Sequence, residues 1–559
     1  MTPIIRFDQL SFTYHRTEKS ALKSISAEIK RGDYVVVMGA GGSGKSSLCF
    51  TPNGIIPHLL RGQYSGRTLV KDEEVATSKV WRMARHVGLV LQDFDAQLFS
   101  SSVELEMAFG LENLGIHRDE IGDRIANYLL LIGMEHKRKF EPASLSGGQK
   151  QRLAIGAIMC MEPEILIMDE PTTDLDPIGR REILALATHS RERGDTLLIA
   201  DHRSEIAFDA DEIWLMSDGE LVKRGKPSEI LSDIQLLKNS RVMPPPIIEL
   251  MERLGYAAKL WTVAEAATVL KTRRLASGSN GRAAALPEQT NGSSPIIEVD
   301  NLTHIYKYMS ITGLRNVSLR IENGEFLAIM GVNGSGKTTL AKHFNGLLTP
   351  TSGTVRLDGR PIESYSRKEV ASLIGYVFQN PDHQIFAATV LDEVSFSLRE
   401  LGYDKRIIMD RAREVLEVVG LQELEREDPA RLTKGQRQRL AVASALVTKP
   451  PVLVLDEPTK GLDYVHKKEL MRLLVDLNRA GHTIVVITHS LWMVAEYAKR
   501  VVVLNGGQKV EEGPTRTVFA GEDRLKSIGM NVPALAQLSN RLGMQGMTID
   551  EIVEELAGS

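Results

Sequence analysis

Two glycine-rich octapeptides each end in a lysine and a hydroxyl residue: Gly39-Ala40-Gly41-Gly42-Ser43-Gly44-Lys45-Ser46 and Gly331-Val332-Asn333-Gly334-Ser335-Gly336-Lys337-Thr338. Both follow a short apolar run and precede a helical pattern. In that context the amides of a glycine loop and a helix N-terminus can wrap a phosphate chain. Lys45 or Lys337 would neutralise the β- and γ-phosphates, and Ser46 or Thr338 would give an oxygen to Mg²⁺. Downstream, Asp169-Glu170 and Asp456-Glu457 close apolar runs. Each Asp suits the orientation of Mg²⁺, and each following Glu suits a general base that polarises the attacking water. Gln92 and Gln379 are assigned to metal and attacking water, and His202 and His489, which follow apolar runs, to the γ-phosphate. Together these residues imply binding of ATP with Mg²⁺ and cleavage of its terminal phosphate.

The set occurs twice in one order. Lys45 and Lys337 stand 292 residues apart, as do Tyr14 and Tyr306. For Gln92 and Gln379, Asp169 and Asp456, and His202 and His489 the spacing is 287, so one five-residue length change separates the loop from the Gln. Tyr14 and Tyr306, just upstream of the loops, offer aromatic faces on which adenine could stack. A fourth paired segment differs between the copies: Leu145-Ser146-Gly147-Gly148-Gln149 against Leu432-Thr433-Lys434-Gly435-Gln436. A hydroxyl and glycine amides at a helix start can hold a γ-phosphate. Lys434 is expected to restrict φ there and to add charge near the phosphate.

The elements that must position these groups are legible as alternation. Runs such as Tyr34 to Met38, Ile165 to Met168, Phe326 to Met330 and Val452 to Leu455 are short and rich in β-branched residues, between longer amphipathic stretches. That pattern predicts an α/β fold of buried, largely parallel strands with covering helices. The repeat continues into two tails, where Thr262-Val263-Ala264-Glu265 and Thr548-Ile549-Asp550-Glu551 fit helix-starting capping boxes. The expected division is a first ATPase domain over 1–270, a flexible Gly/Ser/Asn/Ala-rich linker over 271–295, and a second domain over 296–559.

At 559 residues with 43% hydrophobic and 25% charged content, the chain has the profile of a globular protein larger than one core. A formal charge of −4 gives no overall bias toward nucleic acid. Cys49 and Cys160 are too few for a disulfide framework or a structural zinc site, which fits a reducing compartment. No apolar run approaches the ~20 residues that cross a bilayer, and the first residues do not read as a signal peptide. The expected location is the cytoplasmic face of the cell membrane, reached through a partner.

With these motifs the sequence resembles the ABC ATPases across nearly all of both halves. The resemblance implies two tandem P-loop nucleotide-binding domains, each with a helical signature subdomain and a small helical tail. It also implies head-to-tail pairing, in which Lys45, Ser46, Gln92, Asp169, Glu170 and His202 work with Thr433 to Gln436. Lys337, Thr338, Gln379, Asp456, Glu457 and His489 then work with Ser146 to Gln149, and hydrolysis is expected to be unequal.

A narrower likeness follows each Gln. Gln379-Asn380-Pro381-Asp382-His383-Gln384-Ile385-Phe386 is similar to energy-coupling-factor importer ATPases, while Gln92-Asp93-Phe94-Asp95-Ala96-Gln97-Leu98-Phe99 departs at Phe94, where Pro is usual. There this segment forms part of the groove for coupling helices of a membrane T component, through which a substrate-binding S component is served. The cargo implied is a vitamin precursor of the hydroxymethylpyrimidine/thiamine type or a transition-metal ion. The rival, a soluble tandem ATPase acting on ribosomes or nucleic acid, fits less well. It lacks here the long charged linker, the cysteines for an iron–sulfur domain and a long heptad insertion.

Overall fold

The computed structural model describes residues 3–172, 175–277, 295–306 and 311–557. The chain divides into two compact units, Met1–Trp261 and Thr262–Ser559.

In the first unit the aliphatic runs form interior strands. Tyr34–Gly39, Ile165–Asp169 and Thr196–Ala200 are buried along their whole length, as strands covered on both faces must be. The six-stranded sheet runs Glu220–Gly225, Glu212–Ser217, Tyr34–Gly39, Thr196–Ala200, Ile165–Asp169, Val87–Val90. It is parallel except for the antiparallel pair at the Glu220–Gly225 edge. The second unit repeats this order with Gln508–Pro514, Arg500–Asn505, Phe326–Met330, Thr483–Ile487, Val452–Asp456 and Ile374–Val377. Each unit adds a four-stranded antiparallel sheet, which the sequence reading had not separated from the parallel one. In the first unit it comprises Leu22–Lys30, Pro3–Tyr14, Gly62–Val70 and Glu73–Glu74, and its alternating inward residues Phe7, Leu10, Phe12, Ile25 and Ile29 share a core with Val35 and Val37.

The helical subdomain of the first unit is Val103–Leu114, Arg118–Leu131 and Gly147–Cys160; that of the second is Val390–Glu400, Lys405–Val418 and Lys434–Leu446. Side chains fix where these helices start. The Ser102 hydroxyl accepts from Leu105 N and the Thr389 hydroxyl from Asp392 N, each satisfying an otherwise unpaired first-turn amide.

Both tail capping boxes form. Thr262 N and Thr548 N donate to the carboxylates of Glu265 and Glu551, whose own amides donate back to the threonine hydroxyls. The boundary differs from the one expected at residue 270. The helix Val263–Ser277 belongs to the second unit, where it packs on Ala534–Leu542 through a face that includes the buried Ala266, Ala267 and Leu270. The expected linker over 271–295 is therefore helix as far as Ser277, and residues 278–294 lie outside the described residues. Among the described residues no helix is long and apolar enough to cross a membrane.

Candidate active site

Each glycine loop leaves the central strand of its parallel sheet and enters a helix at its lysine. Two geometric demands explain the glycines. Gly44 and Gly336 sit at φ 103° and 99°, and a Cβ on them would come within 2.4 Å of Ala21 O and 2.6 Å of Gly313 O. The lysines curl back into their loops: Lys45 Nζ donates to Gly39 O and Ala40 O at 2.9 and 2.8 Å, and Lys337 Nζ to Gly331 O and Val332 O at 2.9 and 3.0 Å. The buried hydroxyls of Ser43 and Ser335 have no hydrogen-bond partner. A buried ammonium on backbone carbonyls with an unsatisfied hydroxyl beside it suits an incoming phosphate oxygen.

At the C-terminal ends of neighbouring strands, Asp169 and Asp456 are almost fully buried. Burial pushes the Asp169 carboxyl up to about 6, against the pull of a hydrogen bond from Ser46. Burial likewise raises Asp456, with the Thr338 hydroxyl pulling the other way. Each keeps one buried oxygen, Oδ1, without a hydrogen-bond partner among the described residues. A desolvated carboxylate beside a hydroxyl, with one acceptor unused, fits a Mg²⁺ shell made by Ser46 and Asp169 or by Thr338 and Asp456.

The following glutamates occupy left-handed backbone, Glu170 at φ 49° and Glu457 at φ 48°. That conformation is unfavourable for a side-chain-bearing residue. It is held by amide bonds to the next strand, Glu170 N to Ala200 O at 2.7 Å and Glu457 N to Ile487 O at 2.8 Å. The strain turns each carboxylate off the strand end. Its partners differ between the units. Glu170 accepts from Gln92 Nε2 at 3.0 Å and lies 3.8 Å from Lys45 Nζ, with His202 Nδ1 at 4.0 Å. Glu457 instead meets His489 Nδ1 at 2.9 Å. Burial opposes its charge, but His489 and Lys337 hold it below the usual carboxylate range. Gln379 is exposed and makes no hydrogen bond to Glu457 among the described residues.

Tyr14 and Tyr306 are anchored by their hydroxyls to the helices after the loops, at Ser47 Oγ (2.9 Å) and Thr339 Oγ1 (3.0 Å). Ser146 and Thr433 both cap the signature helices in complete capping boxes with Gln149 and Gln436. The expected backbone cost of Lys434 is not found. Neither Gly147 nor Lys434 has positive φ, because both are ordinary first helical residues where any side chain fits.

One residue escaped the sequence reading: the Tyr376 hydroxyl donates to Asp456 Oδ2 at 3.4 Å. Its register position in the first half is Leu89, a difference the repeat alignment could have exposed.

A parallel sheet carrying a phosphate loop and an acidic pair at adjacent strand ends defines a P-loop nucleoside-triphosphate hydrolase, here in two copies. Residues 22–173 and 314–460 match the model of the ABC transporter family. A relative from Caldanaerobacter subterraneus subsp. tengcongensis is 42% identical, with 97% of each chain covered. One from Methanosarcina acetivorans is 36% identical over 99% of this chain and 92% of its own. Both are named by inference as ABC transporter ATP-binding proteins. Among solved structures, cbiO1 from Clostridium perfringens, described as part of the ABC transporter complex cbiONQ, is 35% identical over 44% of this chain and 98% of its own, with a TM-score of 0.39. The chain belongs to the ABC transporter family: it is a tandem ABC ATPase, the ATP-binding and ATP-hydrolysing subunit of a transporter.

Proposed function

We propose that this ATPase energises an importer of the energy-coupling-factor type, docking through both halves on a membrane T component that serves a separate S component. The observation that carries this reading is an exposed aromatic pair, present in both halves beside the Gln segments. Phe99 and Phe109 pack edge to face at 4.6 Å, Phe386 and Phe396 at 4.7 Å, and all four are substantially exposed. Exposed aromatic pairs at equivalent positions suit apolar helix anchors of a partner. The loops presenting them are fixed by buried carboxylates: Glu106 accepts from Phe99 N and Ser100 N at 3.0 and 2.8 Å, and Glu393 from Phe386 N and Ala387 N at 2.9 Å each. A cargo of the vitamin-precursor or transition-metal class follows from the sequence resemblance and needs no pocket here.

In this reading ATP phosphates enter where Lys45 and Lys337 now bond loop carbonyls. Asp169 with Ser46, and Asp456 with Thr338, would hold Mg²⁺, which would supply neutralisation of phosphate charge. Glu170 and Glu457 take the proton of the attacking water, oriented by Gln92 and His489 respectively. The two sites turn over unequally. Only Glu457 has its histidine in hydrogen-bond range, and the resemblance pairs its half with the unaltered Ser146 to Gln149.

The test is recovery from membranes. The intact chain is expected to co-purify with a multi-span membrane protein, and Phe99→Ala/Phe386→Ala to cut that recovery about tenfold, as loss of two buried aromatic anchors does, with basal ATPase retained. Recovery with ribosomes or DNA and no membrane partner would reject the importer in favour of the soluble class.

A further inference from the structure

The altered signature residue does not extend freely from its helix. A Cβ built on Gly461 would fall 1.8 Å from Lys434 Nζ and 2.6 Å from its Cε, so the end of this lysine fills the space over Gly461. Gly461 has φ 66° and lies in the loop joining Glu457 to the helix Tyr464–Arg479. The next signature residue is gripped by the same region. A Cβ on Gly435 would come within 3.1 Å of the His466 ring, and His466 Nδ1 lies 2.8 Å from Oδ1 of Asp463, the cap of that helix.

The sequence shows a matching exchange of size. At the 287-residue spacing, Lys434, Gly461 and His466 correspond to Gly147, Asp174 and Gly179. Where the signature gains a side chain, the loop loses one. Among the described residues, a Cβ on Gly147 would meet Phe94 at 3.9 Å, and one on Gly148 would meet Leu175 at 3.6 Å.

We propose that Lys434 is a positioning residue that ties the altered signature helix to the loop following Glu457 within the second half, with Gly461 as its seat. The contact is one of packing, the end of an exposed lysine seated on Gly461 inside that half, and displacement of the signature moves the Glu457 loop with it. This rests on the ATPase assignment of Glu457 given above.

Steady-state ATPase of the full chain tests it in two backgrounds, Glu170→Gln and Glu457→Gln. In Glu170→Gln, where turnover depends on Glu457, Lys434→Gly and Gly461→Asn are each expected to lower kcat about three- to tenfold with KM within about twofold. Asn tolerates the left-handed backbone at this position, so Gly461→Asn evicts the lysine while keeping it in the chain, and the two changes combined should cost no more than either alone. Lys434→Gly/Gly461→Asp, which installs the first half's pair, should recover turnover. Melting temperature and Lys434→Met, which keeps length without charge, separate loss of the tie from loss of fold. Additive losses, or an effect confined to KM or to the Glu457→Gln background, would overturn the tie and put the ammonium at a phosphate instead. Absence of turnover in the unsubstituted chain would instead sink the ATPase reading itself.

Discussion

At the scale of single residues, the differences between the copies carry more information than the shared motifs. Tyr376 gives Asp456 a hydroxyl donor where the first half has Leu89, so one carboxylate oxygen is fixed and Oδ1 stays available. Tyr376→Phe removes that bond and nothing else from the side chain. A bond as long as 3.4 Å contributes about 1 kcal/mol even with a carboxylate acceptor, so half-saturation by Mg²⁺ in the Glu170→Gln background is expected to rise about fivefold. An unchanged Mg²⁺ titration would show that the tyrosine only packs. Lysines, acidic pairs and histidines were legible because their types and spacing belong to one chemistry. Tyr376 and the Lys434 seat were not, since a 3.4 Å bond and a filled space over Gly461 depend on strands and loops distant in sequence.

At the scale of elements, the parallel strands and their covering helices were readable from apolar patterns, but the antiparallel sheets and the tail boundary were not. A capping box at Thr262 announces where a helix starts and says nothing about which unit it packs on. The helix Lys337–Phe344 shows another effect of packing. His343 is fully buried, its Nδ1 bonded to Thr339 O at 2.7 Å and its ring 4.8 Å from that of His304. Burial first, and then the neighbouring His304, push its pKa below 6.5. The unfolded chain binds this proton more readily. Stability from the neutral ring is therefore complete above about pH 6.5 and declines as the pH falls toward the folded-state pKa. The first half has Thr51 at this register. In His343→Thr the loss of melting temperature between pH 7.5 and pH 5.5 should shrink, each kcal/mol being worth about 2–4 °C in a unit of this size. An unaltered pH dependence would assign the acid sensitivity elsewhere.

At the scale of the whole molecule, duplication supplied two complete sets of ATPase residues, and divergence made them unequal. Glu170 is bonded by Gln92 and Glu457 by His489, from sequence positions that correspond throughout. The sequence exposed the altered signature, while the backbone cost expected of Lys434 is not found and the end of its side chain lies over Gly461. The parallel strands and both phosphate loops were available from pattern because the same physical solution was written twice. The central claim is that ATP turnover depends chiefly on Glu457. Turnover by purified Glu170→Gln and Glu457→Gln chains measures it directly: Glu457→Gln should fall below about a tenth of the unsubstituted rate and Glu170→Gln should keep about half or more. Equal loss in the two variants would contradict the account.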